Sequence, residues 1–162
     1  MRTINKYPIK KFFKKIYKIY CKNFCKCKKN CPPPVCPHEP PECEQRRKEI
    51  SGDVFEADNG WQIGFVNVLQ TYAQIQDPLN LFSCEGTFGG GWHISPMAEL
   101  EDPSVRNTLL EMFGLCSVVV WATDNGVPTL VKVIPGSDEP ARILPTPSLS
   151  CLAYSICINS GG

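Results

Sequence analysis

Six of the ten cysteines in this chain lie close together, and cysteine thiolates are among the side chains that bind zinc best. One histidine lies among them, and the cluster consists of Cys21, Cys25, Cys27, Cys31, Cys36, His38 and Cys43. The gaps between successive cysteines do not match the paired spacing of a standard zinc finger or ribbon. A Pro-rich loop can nevertheless curl around a tetrahedral ion. The candidate zinc ligands are Cys27, Cys31, Cys36, His38 and Cys43.

Other states of these cysteines stay open. They form disulfides if the compartment is oxidising, Cys21, Cys25 and Cys27 accept fatty acyl chains if the chain is anchored to a membrane, or the thiols stay free. Lysines interrupt any apolar core of a secretory signal near the N-terminus. The sequence therefore predicts an intracellular, reducing compartment with mostly free or metal-bound thiols.

A second candidate set of reactive side chains consists of His93 as a base and Cys84 or Cys116 as the thiol that it would activate. Cys116 opens an apolar run, however, and is interpreted as a small core residue. The three glycines at 89–91 lack the spacing of a P-loop or a dinucleotide-binding loop, so they predict a turn. No pair of carboxylates has the pattern of a general acid and base. The sequence therefore predicts that the protein is not an enzyme, and a thiol enzyme is the third hypothesis.

The strongest periodic pattern lies at residues 9–26, where helical spacing separates lysines from large apolar side chains. The lysines on one arc are Lys10, Lys11, Lys14, Lys15, Lys18, Lys22 and Lys26. The residues on the opposite arc are Ile9, Phe12, Phe13, Ile16, Tyr17, Ile19, Tyr20 and Phe24. This pattern predicts a basic amphipathic helix, and Pro8 suits its first turn.

Such a helix is typical of proteins that lie on an anionic membrane surface, where each lysine contributes about 1 kcal/mol. Two alternatives stay open: the apolar arc packs on an acidic protein face, either that of this chain's own domain or that of a partner, or the lysines bind nucleic acid. The second is less favoured because the arm has a single Arg, and its aromatic residues lie opposite the lysines. Mitochondrial and nuclear locations stay open as alternatives.

Charge divides the chain into two parts. Residues 1–30 carry eleven of the seventeen Lys and Arg residues and no acid, whereas residues 49–162 carry three bases and thirteen acids. Six prolines within 31–43 predict a semi-rigid spacer that is neither helix nor central strand. The expected organisation is a basic arm at 1–30, a Pro/Cys-rich linker at 31–49 and an acidic domain at 50–162.

The acidic domain contains three clear elements. Asp102, Pro103 and Gly114 delimit a helix at 102–114. Asn125 and Gly126 predict a hairpin between strands at 115–122 and 127–134. The first of these strands is expected to be central, because it is apolar on both faces. Alternation at 151–158 predicts a third strand.

Residues 61–75 fit either a helix or a strand, and the spacing of Phe65, Leu69, Tyr72 and Ile75 narrowly favours a helix. Residues 135–147 predict a Pro-rich loop that covers a sheet edge. The predicted fold class is α+β, with a small antiparallel sheet, one or two packed helices, and the basic arm and linker in front.

The predicted function is that of a non-enzymatic membrane-surface or adaptor protein whose basic N-terminal helix binds an anionic surface. A metal-stabilised protein associated with nucleic acid is the alternative. No small-molecule substrate is predicted, and zinc is the only candidate cofactor.

Overall fold

The structure is a computed structural model that describes residue 31, residues 40–145 and residues 148–161. The compact unit that contains them extends from Cys31 to Gly162. The helices described are α1 (Pro41–Glu49), α2 (Tyr72–Gln76), α3 (Cys84–Phe88), α4 (Met97–Leu100) and α5 (Pro103–Phe113). The strands described are β1 (Val54–Glu56), β2 (Gln62–Gln70), β3 (His93–Ile94), β4 (Val118–Asp124), β5 (Val127–Val133), β6 (Ala141–Leu144) and β7 (Ala153–Asn159).

The strands form one seven-stranded sheet in the order β1-β2-β7-β4-β5-β6, and β3 also pairs with β7. β4 and β7 run parallel, whereas the other pairs are antiparallel. The predicted α+β class is therefore confirmed. The prediction of a small, antiparallel sheet is wrong, because the sheet has seven strands and one pairing is parallel. β1, β3 and β6 were not recognised in the sequence, and a strand in the region of β2 was the less favoured alternative.

Side chains alternate between two apolar layers, one on each face of the sheet. On β4, Val118 and Val120 enter one layer, whereas Val119 and Trp121 enter the other. We call the first side the helix face, because α5 packs there, and the second the loop face. The loop face is covered by α2, α3 and β3 together with the connections between them.

The predicted helix at 102–114 is confirmed as α5. The Asp102 carboxylate accepts hydrogen bonds from the backbone N–H groups of Ser104 and Val105, at 2.9 and 3.3 Å, which closes the N-terminus. Gly114 follows the last turn with φ of 59°. Val105, Leu109 and Met112 are buried, so the amphipathic stripe read from the sequence is the stripe that packs on the sheet.

The predicted hairpin is confirmed as well. Asn125 and Gly126 both have positive φ, as a two-residue turn requires. β4 lies between β7 and β5 and is therefore the expected central strand. The third predicted strand is β7, which is buried on both faces from Ala153 to Ile158.

The helix predicted at 61–75 is wrong over most of its length, because residues 62–70 form β2. β2 pairs with β1 on one side and with β7 on the other. Those distant partners outweigh the helical spacing of Phe65 and Leu69. Of the four residues whose spacing favoured a helix, only Tyr72 and Ile75 are helical, and both belong to the short α2.

Two further predictions are wrong. The exclusion of helix from 31–43 is wrong for residues 41–43, because α1 begins at Pro41, and a proline in the first turn loses no intrahelical hydrogen bond. Residues 32–39 of the predicted spacer lie outside the described residues. The loop predicted at 135–147 contains β6, which pairs with β5 and extends the sheet instead of covering its edge.

Helix α1 is fastened to the C-terminal end of α5. The Arg46 guanidinium donates hydrogen bonds of 2.6 Å to the backbone carbonyls of Glu111 and Met112. Carbonyl groups in the last turn of a helix lack intrahelical partners, and a cation there also interacts favourably with the helix dipole. Arg47 is buried and lies 5.4 Å from the centre of the Tyr154 ring.

Three disulfides join distant parts of the chain: Cys31–Cys151, Cys43–Cys116 and Cys84–Cys157. The expectation that these six cysteines are thiols or metal ligands is therefore wrong. Cys116 is not a free core residue, because it links the segment after α5 to α1. The sequence had left disulfides open as one alternative but could not specify which cysteines pair.

Candidate functional site

A cleft of about 320 Å³ opens on the loop face, where α2, α3, β3 and the end of β4 meet. The cleft is lined by Tyr72, Ile75, Gln76, Asp77, Pro78, Ser83, Cys84, Glu85, Trp92, His93, Ile94, Pro96 and Thr123. Its walls combine apolar and aromatic side chains with two carboxylates. Such a mixture is typical of binding sites, in which apolar walls provide contact area and a few polar groups orient the ligand.

The two short helices beside the cleft are fixed by side-chain caps. Thr71 and Gln74 form a capping box at the start of α2. The Ser83 hydroxyl accepts a hydrogen bond of 2.9 Å from the backbone N–H of Gly86 and so caps α3. The disulfide from Cys84 to Cys157 then ties α3 directly to β7. The walls of the cleft are therefore held by local caps and by a covalent link.

The three-glycine run forms the predicted turn between α3 and β3. Gly89 and Gly91 have φ of 101° and 88°, values that a residue with a side chain rarely adopts. The turn brings Trp92 back over Phe88, and the two rings stack with their centres 4.6 Å apart. His93 follows on β3, which pairs with β7. The run therefore serves to place an aromatic ring and an imidazole in the cleft wall.

His93 is paired with Glu99 of α4, and 3.1 Å separates the imidazole Nε2 from the carboxylate Oε2. The hydrogen bond to Glu99 raises the pKa of His93 above its usual value of 6.5, although partial burial opposes the shift. The His93 side chain is 42% exposed, whereas Glu99 is 17% exposed. The Glu99 carboxylate thus orients the imidazole of His93, which lies in the wall of the cleft.

The charge of the cleft lining is negative. Asp77 and Glu85 line it, and neither Lys nor Arg does so. The Asp77 Oδ1 atom accepts a hydrogen bond of 2.9 Å from the backbone N–H of Leu79, which fixes the carboxylate. Within the described residues, Glu85 takes part in no side-chain hydrogen bond or ion pair. Its carboxylate is exposed and available to a ligand.

One rim of the cleft is formed by residues 79–82, which we call the apolar loop. Leu79, Leu81 and Phe82 are 87%, 75% and 53% exposed. The residues on either side, Pro78 and Ser83, line the cleft. The apolar loop therefore presents three large apolar side chains to solvent directly beside the cleft.

The backbone of the apolar loop is held by a hydrogen-bond network centred on Asn80. The Asn80 amide donates to the side-chain oxygen of Gln70 and, at 2.7 Å, to the backbone carbonyl of Gln74. Its side-chain oxygen accepts from the backbone N–H of Phe82 at 3.0 Å. Gln70 in turn donates to the carbonyl of Phe82 at 2.8 Å. These contacts fix the loop conformation although its apolar side chains remain exposed.

Of the residues that line the cleft, His93 and Cys84 were singled out from the sequence as candidates for chemistry, and the others were not. A signal was present, because Leu79, Leu81 and Phe82 form an apolar group in a segment bounded by Asp77-Pro78 and Ser83, where a turn is expected. The convergence of Tyr72, Glu85 and Trp92 has no local signal, since they lie on separate elements.

The structure bears on the two cysteines that the thiol-enzyme hypothesis named as nucleophiles. Cys84 and Cys116 are both disulfide-bonded, so neither provides a thiolate for His93 to activate. Two of the candidate zinc ligands, Cys31 and Cys43, are bonded to Cys151 and Cys116 and are not available as thiolate ligands.

The other candidate ligands, Cys27, Cys36 and His38, lie outside the described residues. Within residues 31, 40–145 and 148–161, no group of three or more His, Cys, Asp or Glu side chains is placed to hold a metal ion.

The candidate surface-binding residues also lie outside the described part of the chain. They are Lys10, Lys11, Lys14, Lys15, Lys18, Lys22, Lys26, Phe12, Phe13, Ile16, Tyr20 and Phe24. Their role stays a prediction. None of the helices described in the structure is both long enough and apolar enough to cross a membrane.

Comparisons of the chain with protein-family models, with curated proteins and with solved structures give no match.

Proposed function

We propose that this chain is a non-enzymatic interaction protein with two binding elements. The acidic α+β domain presents the cleft and the apolar loop to a protein partner, and the Lys-rich N-terminal segment binds an anionic membrane surface. The observation that supports an interaction role most directly is the apolar loop, whose three large side chains are exposed on a hydrogen-bonded backbone.

An exposed apolar group of this kind costs free energy in the isolated protein, because water is ordered around it. A flexible loop would fold its side chains back onto the domain. Here the hydrogen bonds of Asn80 and Gln70 hold the backbone, so that Leu81 and Phe82 stay exposed. A rigid binding loop loses little conformational entropy when a partner binds. This arrangement supports a preorganised contact for another protein.

The proposal for the N-terminal segment is supported by its sequence pattern, in which seven lysines lie opposite eight apolar residues. The domain carries an excess of acids, so an anionic membrane would repel it and attract the segment. The two binding elements therefore favour different surfaces. We assign the membrane to the segment and the protein partner to the domain.

The three disulfides support an oxidising compartment, such as a secretory lumen or the outside of a cell. This proposal differs from the intracellular location expected from the sequence, which depends on the lysines near the N-terminus. An intact-mass measurement of the native protein in the presence of a thiol-alkylating reagent tests it. Three disulfides leave at most four cysteines to be alkylated, whereas a reduced protein has ten.

The division between the two binding elements is tested by sedimentation with vesicles of phosphatidylcholine and phosphatidylserine. The full-length chain is compared with a chain that lacks residues 1–30 but keeps Cys31, and with the Leu81→Ser/Phe82→Ser variant. We expect the full-length chain and the loop variant to sediment equally, also at high salt, and the shortened chain to stay in solution. Sedimentation of the shortened chain, or loss of binding in the loop variant, would overturn this division.

A further inference from the structure

We propose that the cleft binds a Lys or Arg side chain of a partner polypeptide, while apolar side chains next to it in that partner pack on the apolar loop. This inference rests on the proposed interaction function and adds the chemical class of the ligand. It follows from four properties of the site: its charge, its volume, the composition of its walls and its position beside the apolar loop.

Charge favours a cation. Asp77 and Glu85 line the cleft without any Lys or Arg, and the His93–Glu99 pair adds no net positive charge even when the imidazole is protonated. Among the described residues, no side chain forms a hydrogen bond or an ion pair with the Glu85 carboxylate that would compete with a ligand. An anionic ligand would meet two carboxylates, and a neutral apolar ligand would leave them without a function.

The few basic residues of the domain have other positions. From residue 49 onward they are Arg106, Lys132 and Arg142. Arg106 donates to the backbone carbonyl of Ser137 at 3.2 Å, and Arg142 is paired with Glu139 at 2.8 Å. None of the three lines the cleft. Arg46, Arg47 and Lys48 of α1 do not line the cleft either, so none of the basic residues that the structure describes lies in the wall beside the two carboxylates.

The volume and the walls suit one long side chain. About 320 Å³ is at the lower end of the range for ligand sites, so the cleft accepts a side chain more readily than a folded element. Lys and Arg combine an apolar stem with a charged end. Ile75, Trp92 and Ile94 offer apolar contact to the stem, and Asp77 and Glu85 offer oxygen acceptors to the charged end.

The apolar loop indicates that the basic group belongs to a polypeptide. A free amine or guanidinium compound fills the cleft without touching Leu79 or Leu81. A polypeptide that places Lys or Arg in the cleft brings its neighbouring residues over the rim, where they cover apolar surface. Each Leu or Phe side chain that becomes fully buried contributes roughly 1.5–3 kcal/mol before the costs of association.

The test uses the full-length, disulfide-bonded chain, labelled for NMR, and a short synthetic peptide of alternating Lys and Leu. We expect the largest shifts at the Trp92 indole and at the amides of residues 77–85. Replacing every Lys of the peptide by Gln should weaken binding about tenfold, and replacement by Glu should abolish it. Equal binding of the Lys and Gln peptides would overturn the cation assignment while leaving an apolar interaction surface in place.

Variants of the protein locate the site. Glu85→Gln and Asp77→Asn keep the shape of each side chain and should each weaken binding of the Lys peptide about threefold, as expected for exposed charges. Glu111→Gln on α5 is the matched control and should change nothing. Leu81→Ser should weaken binding, whereas Leu115→Ser, at another highly exposed leucine, should not. Peptide-induced NMR shifts at residues of the helix face, or equal effects of a variant and its control on peptide binding, would contradict the placement of the site in the cleft.

The chain lacking residues 1–30 is titrated with the same peptide, because its missing segment has the chemistry of the probe. A tighter dissociation constant in the shortened chain would show that a basic, apolar segment of this chain competes for the site, which supports the ligand class. The vesicle experiment above does not depend on the cleft. Failure of the peptide experiment therefore leaves the membrane assignment intact, and the reverse also holds.

Discussion

On the helix face of the sheet, the eleven-residue helix α5 covers the strands with an apolar stripe in which Val105, Leu109 and Met112 are buried. On the loop face, α2 and α3 have five residues each and β3 has two. The loop face holds two of the three disulfides, those of Cys84 and Cys151, and it contains the cleft. The two sides of one sheet are therefore closed by different means.

This difference shows what short elements require. A helix of three turns has enough apolar surface to be held by packing, whereas a five-residue helix is too short to be stable without help. On the loop face, caps and covalent links replace the missing packing. Short elements also leave gaps between them, and one of these gaps is the cleft. The less packed face is thus the one available for binding.

The largest expected effect comes from the disulfides. Cys43–Cys116 on the helix face and Cys84–Cys157 on the loop face both span 73 residues, so loss of either should lower the unfolding free energy by about 4 kcal/mol through the entropy of the unfolded chain. The local effects should differ. In Cys84→Ser/Cys157→Ser, hydrogen exchange should rise in α3 and β3, while α5 stays protected.

The matched variant for that measurement is Cys43→Ser/Cys116→Ser. It should leave the exchange of α5 and of the sheet close to that of the native protein, because the apolar stripe still packs. If both variants lose protection evenly over the whole domain, the two faces do not differ in how they are held.

The next effect concerns packing. Leu109→Ala on the helix face removes a fully buried side chain and should cost about 3 kcal/mol of unfolding free energy in urea denaturation. Ile75→Ala on the loop face should cost less, because Ile75 borders the cleft and its neighbours have room to relax. A larger cost for Ile75→Ala would mean that the loop face is the more tightly packed of the two.

A smaller effect is expected at Gly64 on β2. A methyl group there would overlap the ring of Phe88, so Gly64→Ala should displace that ring from Trp92 and cost about 2 kcal/mol. Gly90→Ala is the control, because a methyl group at Gly90 meets no atom within 4 Å. The measurement is the NMR shift of the Trp92 indole together with thermal unfolding. An unchanged indole shift in Gly64→Ala would contradict the packing described for this face.

The smallest effect concerns the His93–Glu99 pair. The pKa of His93 is raised in the folded state, so the pair stabilises the protein fully below the usual pKa of 6.5, and this contribution is lost as the pH rises through the folded pKa. Glu99→Gln should lower the pKa of His93 in an NMR titration and weaken this pH dependence. Because His93 is partly exposed, the change in stability should be small. An unchanged pKa would show that Glu99 does not cause the shift.

Local signals explain which elements the sequence predicts correctly. α5 has a capping Asp102 and a terminal Gly114, and the hairpin has Asn125 and Gly126 at its tip. In the segment of β7, large and small side chains alternate along the chain. Each of these signals is contained within the element itself, so no knowledge of distant contacts is needed.

The elements that sequence reasoning missed depend on distant partners. β2 has helical spacing at Phe65 and Leu69, yet β1 pairs with residues 62–64 and β7 pairs with residues 62–66 and 70. β6 lies between Pro140 and Pro145 and becomes a strand only beside β5. The same reason applies to the site, since the disulfide pairs and the cleft depend on residues that meet only after folding.

The Cys31–Cys151 disulfide has a mechanical consequence. It closes residues 31–151 into a covalent ring, so the covalent path of a pulling force applied between the two ends of the chain skips residues 32–150. The load passes from Cys31 to Cys151 and then along β7, which lies between β2 and β4 at the centre of the sheet. Tension on the N-terminal segment is therefore transmitted to the most deeply buried strand, and α3 at the cleft is coupled to that strand because Cys84 is bonded to Cys157.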